Sequence, residues 1–400
     1  MKRFLAFTLV LWLVFAAKSQ LPMDSMQVSL LTCSPGTEVY SLYGHTALRC
    51  RNITRNQDLV YNYGVFSFQQ PHFVWRFILG ECDYMVQPVP WPYFIKEYGE
   101  RGSTVTEQVL NFSSIEANRL AMLLYVNSLP ENCQYRYNFL YNNCTTKVRD
   151  MIERAADGTL EYPQFDEKKT YRQILHEYTA VDPWASEGND LLLGQDVDTL
   201  LTDRAAMFAP EYMMNYAEDA LIRAENNDYR QLVKKTYIHN PLKPSPEVET
   251  LPFTPIQFSA TLLIFALLVV GVEYKFHFMW WGWAVMLMLI QGLAGCLLVF
   301  MFLFSEHPGV GSNWLVLLLN PLPLFALPKV VKSAYKRQTT RWHSLNFAIL
   351  TLFIVFSVWI PQDFGDIVVP LALVLLTRPI SYNLYFRKKV QPSKRKIAEK

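Results

Sequence analysis

Residues 137–150 read YNFLYNNCTTKVRD, an aromatic, loop-prone segment that runs into a helix. Asn142 or Asn143 is a good N-cap for that helix, because its side-chain oxygen can accept a hydrogen bond from a free N–H of the first turn. The apolar residues that follow have the i, i+3, i+4, i+7 spacing of one helix face: Val148, Met151, Ile152 and Ala155. The pattern predicts an amphipathic helix with Cys144 at or beside its N-terminus.

The position of Cys144 makes it a candidate nucleophile. Unpaired N–H groups and the helix dipole stabilise a thiolate at a helix start and lower the thiol pKa from about 8.5. A cysteine that only packs the first turn of a core helix would show the same pattern. The local sequence therefore leaves a catalytic and a structural interpretation open.

A nucleophilic cysteine needs a base, and four histidines lie between residues 20 and 250. His239 lies in a proline-rich segment and His176 in a polar helical stretch, so we expect both to be solvated. His72 follows a proline in a turn. His45 is the remaining candidate.

His45 lies in a predicted strand, residues 39–49, which read VYSLYGHTALR. Residues 59–66, LVYNYGVF, form a second strand that would be its hairpin partner. Asn62 or Tyr61 on that strand is a candidate for the group that orients the imidazole. A lone histidine in a strand is more often structural than catalytic, so its neighbours decide its role.

Five of the six cysteines precede residue 250: Cys33, Cys50, Cys82, Cys133 and Cys144. In an oxidising compartment four cysteines can pair in three ways, and an odd number leaves at least one thiol free. The local sequence favours Cys144 as the free one. No pair has CxxC spacing and no histidines recur at i, i+4, so we expect no metal site and no cofactor. Cys296, in an apolar segment, is expected to act as a small apolar residue.

The N-terminus has the pattern of a secretory signal peptide, residues 1–19. Lys2 and Arg3 precede fourteen uncharged, mostly apolar residues, and Ala17 and Ser19 offer the small side chains of a cleavage site. Fourteen helical residues reach about 21 Å, short of the roughly 30 Å hydrocarbon core. An uncleaved anchor is the alternative, and it would export the following residues equally.

The C-terminal third contains five apolar stretches that are long enough to span a bilayer. They cover roughly residues 254–273, 278–304, 312–328, 344–360 and 366–384. The connection 329–343 and the tail 385–400 are rich in Lys and Arg, whereas 305–313 and 361–366 contain neither. By the positive-inside rule the basic segments are cytoplasmic, which places residue 250 outside the membrane and the basic tail inside.

The soluble and membrane parts differ in charge. Residues 20–250 hold 20 Lys and Arg against 30 Asp and Glu, and residues 251–400 hold 14 against 5. A nucleic-acid binder would need a basic stripe on its soluble face, so this balance indicates a membrane protein instead. A proline-rich tether, residues 238–253, separates the exported domain, 20–237, from the membrane domain, 254–384.

Four ordered blocks carry a resemblance to a known family: SLYGH at 41–45, VYNYG at 60–64, YRYN at 135–138 and NNCTTKVRD at 142–150. Together they resemble the periplasmic domain (the DUF4105 domain) of the Lnb lipoprotein N-acyltransferases of Bacteroidota. The five-span tail is also similar to that family's arrangement. Lys147 stands where the family has arginine more often.

The resemblance implies an α+β fold, in which a circularly permuted papain-like (NlpC/P60-type) domain is followed by an all-α bundle of five transmembrane helices. In this permutation the histidine precedes the cysteine in the chain. The implied activity is acyl transfer from a membrane phospholipid to the α-amino group of a diacylglyceryl-cysteine lipoprotein. The implied partners are therefore the phospholipid donor, the diacylated lipoprotein acceptor and the membrane, with no nucleic acid.

The residues are suited to a ping-pong reaction. The Cys144 thiolate would attack the ester carbonyl, and His45 would protonate the departing alcohol oxygen. A thioester would then be attacked by the acceptor amine. The backbone N–H groups of Cys144 and Thr145 could hold the oxyanion.

Candidate substrate-binding residues lie in the outer turn 305–321, namely His307, Asn313 and Asn320, and on the cysteine helix at Arg149. A turn with polar caps between spans is the plainer interpretation of the first three.

Two alternatives remain for the function of the whole chain. One is a cell-wall cysteine peptidase or amidase that uses the same two residues on a peptide bond. The other is a non-catalytic, membrane-anchored envelope assembly module in which Cys144 is disulfide-bonded.

Overall fold

The structure, a computed structural model, describes residues 24–395 apart from residues 70, 166, 241–247, 249, 337 and 339. The predicted signal peptide, residues 1–19, lies outside the described residues. The two parts predicted from the sequence are both present: a mixed α+β domain and a C-terminal bundle of apolar helices.

The strands of the exported domain are β1 Met26–Cys33, β2 His45–Asn52, β3 Gln57–Val65, β4 Asp83–Pro90, β5 Val105–Leu110, β6 Gln134–Arg136, β7 Thr159–Glu161, β8 Leu221–Arg223, β9 Tyr229–Gln231 and β10 Val233–His239. Seven of them form one antiparallel sheet in the order β10-β5-β1-β2-β3-β4-β6. The other three form a second sheet in the order β7-β8-β9.

Eight helices accompany these strands among the described residues: α1 Phe73–Leu79, α2 Trp91–Glu100, α3 Ser114–Asn127, α4 Cys144–Ala155, α5 Tyr171–Thr179, α6 Pro183–Leu192, α7 Asp203–Ala206 and α8 Pro210–Glu218. Each of the two longest has a capping box at its start. That reciprocal pair of hydrogen bonds satisfies N–H groups that a helix N-terminus leaves free.

The main sheet is buried on both faces, because alternate residues of its central strands point to opposite sides. Val28 and Leu30 of β1 belong to the large core that also holds Leu120 of α3 and Ile152 of α4. Leu31 and its neighbours on the other face pack with residues of α2 in a smaller core. The cysteine helix α4 is therefore held against the centre of the sheet by its apolar face.

The C-terminal part contains five helical segments that are long and apolar enough to cross a membrane, as the sequence predicts. They are Pro255–Phe276 (α9), Trp281–Phe304 (α10), Trp314–Tyr335, Arg341–Trp359 and Val368–Tyr385. The third begins with the 3₁₀ turn Trp314–Leu317 and continues as α11, Leu322–Tyr335. The fourth contains α12, Arg341–Phe356, and the fifth belongs to α13, Val368–Arg395. Helix α13 thus runs past residue 384, where the sequence analysis placed the end of the membrane domain.

The exported domain sits directly on the outer end of this bundle. The Ser305 hydroxyl donates to the carbonyl of Ile78 at 2.8 Å, and the Glu306 N–H donates to the carbonyl of Leu79 at 2.7 Å. Gly80, which ends α1 with φ of +76°, allows this approach, since a Cβ there would lie 2.6 Å from the His307 nitrogen. The domain is therefore docked through backbone contacts that a side chain at position 80 would block.

The tether begins later than the sequence predicts. Residues 238 and 239 belong to β10, so the exported domain extends past residue 237. His239 is part of this strand and contacts the Glu107 carboxylate at 2.8 Å, and His176 contacts Asp190 at 2.8 Å. The sequence predicts that both are solvated; each is about a third exposed, and its imidazole also pairs with a buried acidic side chain.

Candidate active site

Cys144 is the first residue of α4, and Asn143 is its N-cap. The Asn143 Oδ1 accepts from the Thr146 N–H at 2.9 Å, and the Thr146 hydroxyl oxygen accepts from the Asn143 N–H at 2.8 Å. Among the described residues this capping box leaves the N–H groups of Cys144 and Thr145 without an acceptor. The helix therefore presents two free donors next to a thiol.

The start of α4 is fixed from two sides. The Asn143 side-chain amide donates to the carbonyls of Phe139, at 2.8 Å, and Phe208, at 2.9 Å. The hydroxyls of Thr145 and Thr46 lie 3.0 Å apart and are both buried, which ties the helix to β2. Cys144 is thus held at one position relative to the sheet rather than on a mobile loop.

His45 is the first residue of β2, opposite Cys33 of β1. The pairing of β2 with β3 begins only at Leu48, which is opposite Tyr61. Within the described part of the chain, the first residues of β2 therefore have open space on that side. The Cys144 side chain occupies it, and the Thr46 N–H donates to the sulfur there.

Cys144 and His45, which are 99 positions apart in the chain, lie close enough for each to shift the pKa of the other. Burial by itself would raise the pKa of the Cys144 thiol. The attraction to His45 and the hydrogen bonds from His45, the Thr46 N–H and the Thr145 hydroxyl outweigh it and lower that pKa to about 7. Burial lowers the pKa of His45, but the thiolate beside it reverses this and raises it. Each group thus favours the charged form of the other.

Asn62 on β3 orients the imidazole. Its Oδ1 lies 2.6 Å from Nε2 of His45. An amide oxygen only accepts, so the network assigns a proton to Nε2 and leaves Nδ1 for the thiol. The Tyr98 ring lies parallel to the imidazole, at 12° and 6.0 Å between centroids. The ring of His45 is thereby fixed in both direction and plane.

Tyr61, the other candidate for this orienting role, faces away from the site. It neighbours Asn62 on β3, so its side chain lies on the opposite face of the sheet, in the large core, where it is 6% exposed. Because successive side chains of a strand point to opposite faces, only Asn62 of the two candidates can orient His45.

An aromatic wall lines the other side of the thiol. A Cβ at Gly64 would lie 3.6 Å from the Tyr137 ring and 3.8 Å from the Cys144 Cβ. The Tyr135 hydroxyl lies beside the same glycine and is buried, with no well-formed hydrogen bond to any described residue. Tyr84 stacks on Tyr137 at 4.4 Å. The surroundings of the sulfur are therefore largely apolar, with one hydroxyl that lacks a partner.

Arg149 and Asn313, two of the predicted substrate-binding residues, have structural partners instead. Arg149 is 6% exposed, and it pairs with Asp150 and donates to the carbonyl of Arg204 at 2.9 Å. Asn313 is fully buried and donates to the carbonyl of Leu191 at 2.9 Å. Both side chains hold elements together.

His307 and Asn320 also make local contacts. His307 Nε2 lies 2.5 Å from the carbonyl of Phe77, at the end of α1, and burial lowers the pKa of this histidine. The Asn320 side chain donates to the carbonyl of Leu317 and accepts from the Leu322 N–H, both at 3.1 Å. The outer turn does face the exported domain, but through docking contacts.

All six cysteines are free thiols in the structure, so the pairings that the sequence left open are not formed. Among the described residues no group of three or more His, Cys, Asp or Glu side chains could hold a metal ion. The sequence does not reveal the roles of the Thr46 N–H, the Tyr98 ring and the Tyr135 hydroxyl. Tyr135 lies in one of the four quoted blocks, but only the fold places its hydroxyl beside Gly64 and Cys144.

Two family models match this chain. The model described as the Lnb N-terminal periplasmic domain matches residues 15–180, and the model described as the Lnb transmembrane domain matches residues 247–390. No curated protein and no solved structure matches the chain. The two models cover the domain that holds Cys144 and His45 and the five apolar spans, in that order.

Proposed function

The chain is a member of the Lnb family and a multi-pass membrane protein with a periplasmic domain, and we propose that it is a lipoprotein N-acyltransferase of the inner membrane. In this proposal it moves an acyl chain from a phospholipid, through a thioester on Cys144, to the α-amino group of a diacylglyceryl-cysteine lipoprotein. The observation that carries the proposal is the contact between Cys144, at a helix start, and His45, oriented by Asn62.

The position of the site near the membrane surface supports a lipid substrate. The segment just before Cys144 packs on the outer turn of the bundle, where Arg136 pairs with Glu306 at 2.5 Å and the Phe139 ring lies 6.1 Å from His307. A thiol in this place can reach lipids that do not diffuse through water. A soluble peptide substrate would not require such docking.

The first half-reaction forms the thioester. The Cys144 sulfur attacks the carbonyl carbon of a phospholipid ester, and a C–S bond forms. The acyl C–O bond then breaks, and protonated His45 gives its proton to the departing alcohol oxygen, so that a lysophospholipid leaves. The free N–H groups of Cys144 and Thr145 stabilise the negative oxygen of the intermediate, and the Tyr135 hydroxyl is a third donor.

The second half-reaction forms the amide. The neutral α-amino group attacks the thioester carbon, a C–N bond forms and the C–S bond breaks. His45, now neutral, takes the proton that the nitrogen loses, which restores the charged pair of thiolate and imidazolium. The apolar tyrosine wall limits hydrolysis of the thioester by keeping water away from it.

The deciding experiment is intact-mass analysis of the purified protein after brief exposure to phospholipid without acceptor. The proposal predicts one added acyl group on Cys144, release of lysophospholipid, and loss of both in Cys144→Ala. Subsequent addition of a diacylated lipopeptide should remove the acyl group and yield the triacylated product. An unmodified Cys144, or full transfer by Cys144→Ala, would contradict it.

The same experiment tests the two alternatives. A cell-wall peptidase or amidase would cleave peptide bonds and release no lysophospholipid. A non-catalytic module would leave phospholipid and lipopeptide unchanged.

A further inference from the structure

Helix α1 packs beside the outer end of a membrane-spanning helix. The Trp75 ring is 5.2 Å from the ring of Phe300, which lies on the membrane-spanning helix α10. Phe300 comes four residues before the end of α10 at Phe304, which corresponds to about 6 Å along the helix axis. Trp75 therefore lies beside the last turns of this spanning helix.

The outward face of α1 is apolar and uncovered. Val74 is 70% exposed, Trp75 54% and Phe77 49%, and Phe68, just before the helix, is 63% exposed. Such a cluster is unfavourable in water, whereas interfacial segments bury Trp and Phe among lipid chains. Since α1 lies beside a spanning helix, lipid is what surrounds this face.

The face itself forms a shallow, open groove. This hollow of about 720 Å³ is lined by Phe68, His72, Phe73, Val74, Trp75 and Ile78. All of these except His72 are apolar. The groove therefore suits a hydrocarbon chain far better than a peptide or a sugar, which would leave its polar groups unpaired.

A continuous series of ring contacts joins this groove to the thiol. The Phe68 ring lies 4.9 Å from Phe66, Phe66 lies 4.8 Å from Tyr84, and Tyr84 lies 4.4 Å from Tyr137. Tyr137 is the ring beside Gly64 and Cys144. An apolar row of packed rings thus connects the face of α1 to the surroundings of the sulfur.

We propose that the groove on α1 holds an acyl chain of a donor phospholipid from the outer leaflet while its ester carbonyl reaches Cys144. This inference rests on the proposed function and adds the place at which the lipid enters. Helix α1 then serves two purposes, since it docks the exported domain on the bundle and guides the lipid chain.

Photo-crosslinking in nanodiscs tests the groove without any reaction. The Cys144→Ala protein is placed in nanodiscs that contain a phospholipid with a diazirine in its acyl chain, and the crosslinked residues are mapped by mass spectrometry. We expect crosslinks on residues 68–78 and a decrease of about ten-fold when Val74→Glu is added. Because Val74 is exposed, the change removes no packing within the protein, but it places a carboxylate where the hydrocarbon chain would lie.

The matched control is Ile53→Glu, which places the same charge on a side chain that is 55% exposed, in the turn after β2. That turn lies at the opposite end of β2 from His45, so crosslinking should not change. With Cys144 present, Val74→Glu should also slow thioester formation about ten-fold. Alkylation of Cys144 by the small, soluble reagent iodoacetamide should stay as fast as in the unaltered protein.

The outcomes separate the two proposals. If crosslinks fall on residues 68–78 but no thioester forms, the groove is upheld and the acyltransferase proposal fails. If a thioester forms while crosslinks lie elsewhere or resist Val74→Glu, the groove is overturned and the function stands. Crosslinks that arise only from a photoactive lipopeptide, and not from the phospholipid, would also overturn it.

Discussion

The side-chain oxygen of Asn62 lies 2.6 Å from Nε2 of His45, and the opposite side of the same imidazole meets the Cys144 thiol. A neutral amide is the orienting group here, where a carboxylate would attract a proton to the imidazole more strongly. Because Asn62 carries no charge, the thiolate itself is the anion that raises the pKa of His45. The two reacting groups therefore depend on each other for their charges.

Asn62→Ala should lower the rate of thioester formation about ten- to hundred-fold, because the imidazole loses its orienting partner. The rate would be measured by intact mass over time after mixing with phospholipid. Asn62→Asp is the conservative control, since it keeps the acceptor oxygen and should restore much of the rate. Its added charge should raise the pKa of His45 and shift the pH profile upward. Equal rates for Asn62→Ala and the unaltered protein would show that the contact does not orient the base.

The reactivity of Cys144 should rise with a midpoint near pH 7. Its pKa is lowered to about 7, so the thiolate predominates above that pH and the less reactive thiol below it. The rate of alkylation by iodoacetamide across pH 5–10 would measure this, with the other cysteines followed by mass spectrometry as internal controls. In His45→Ala the midpoint should move above the ordinary value of about 8.5, because burial remains and the attraction is gone. A midpoint that His45→Ala leaves in place would contradict the pairing.

Tyr135→Phe separates a catalytic hydroxyl from a structural one. The hydroxyl makes no well-formed hydrogen bond to a described residue, so its removal should leave the melting temperature unchanged or slightly higher. If it stabilises the oxyanion, thioester formation should fall roughly hundred-fold. Alkylation of Cys144, which has no oxyanion, should keep its rate. A loss of both stability and alkylation would assign the hydroxyl to packing instead.

Asn313→Ala should destabilise the protein far more than Asn320→Ala. Asn313 is fully buried, and its oxygen accepts from the Leu315 N–H and the Gln362 side chain at 2.9 and 3.0 Å. Each buried group left without a partner costs about 1–3 kcal/mol. The Asn320 side chain makes its hydrogen bonds within its own turn. Thermal unfolding in detergent would compare the two variants, and equal losses would refute this assignment.

Glu187 should make the protein less stable as the pH rises. Burial, with Asp190 nearby, raises its pKa to about 7, so the folded protein keeps a proton that the unfolded chain releases near pH 4.5. This contribution is therefore fully present below pH 4.5 and is lost as the pH rises to about 7, by up to about 3 kcal/mol. In Glu187→Gln the difference in melting temperature between pH 5 and pH 8 should shrink. Glu131→Gln, at an exposed position, is the control and should leave the difference unaltered.

Several features followed from local sequence alone. The helix at Cys144 and its cap were predictable because capping and helical periodicity depend on residues a few positions apart. The five spans were predictable because bilayer thickness sets their length and apolar composition. The start of the tether was not, since β10 extends to His239 only because β5 is there to pair with it.

The expected substrate-binding residues show more clearly what cannot be predicted from the sequence. His307 and Asn313 were noted as polar residues in an outer turn, which is true of a ligand site and of a docking contact alike. Only the position of α1 and α6 beside that turn shows what they bind: the carbonyls of Phe77 and Leu191. Polar residue type and spacing do not tell which backbone group lies opposite.

By itself the sequence determined the parts of this protein: an exported acidic domain, a bundle of five spans, a cysteine at a helix start and a histidine in a strand. Those features arise from short-range patterns of charge, hydropathy and capping. The tertiary structure decided which parts act together, because His45, Asn62 and Cys144 meet only when β2 separates from β3 and α4 packs into the opening. It also decided which apolar residues face lipid, since the exposure of α1 depends on where the exported domain docks on the bundle.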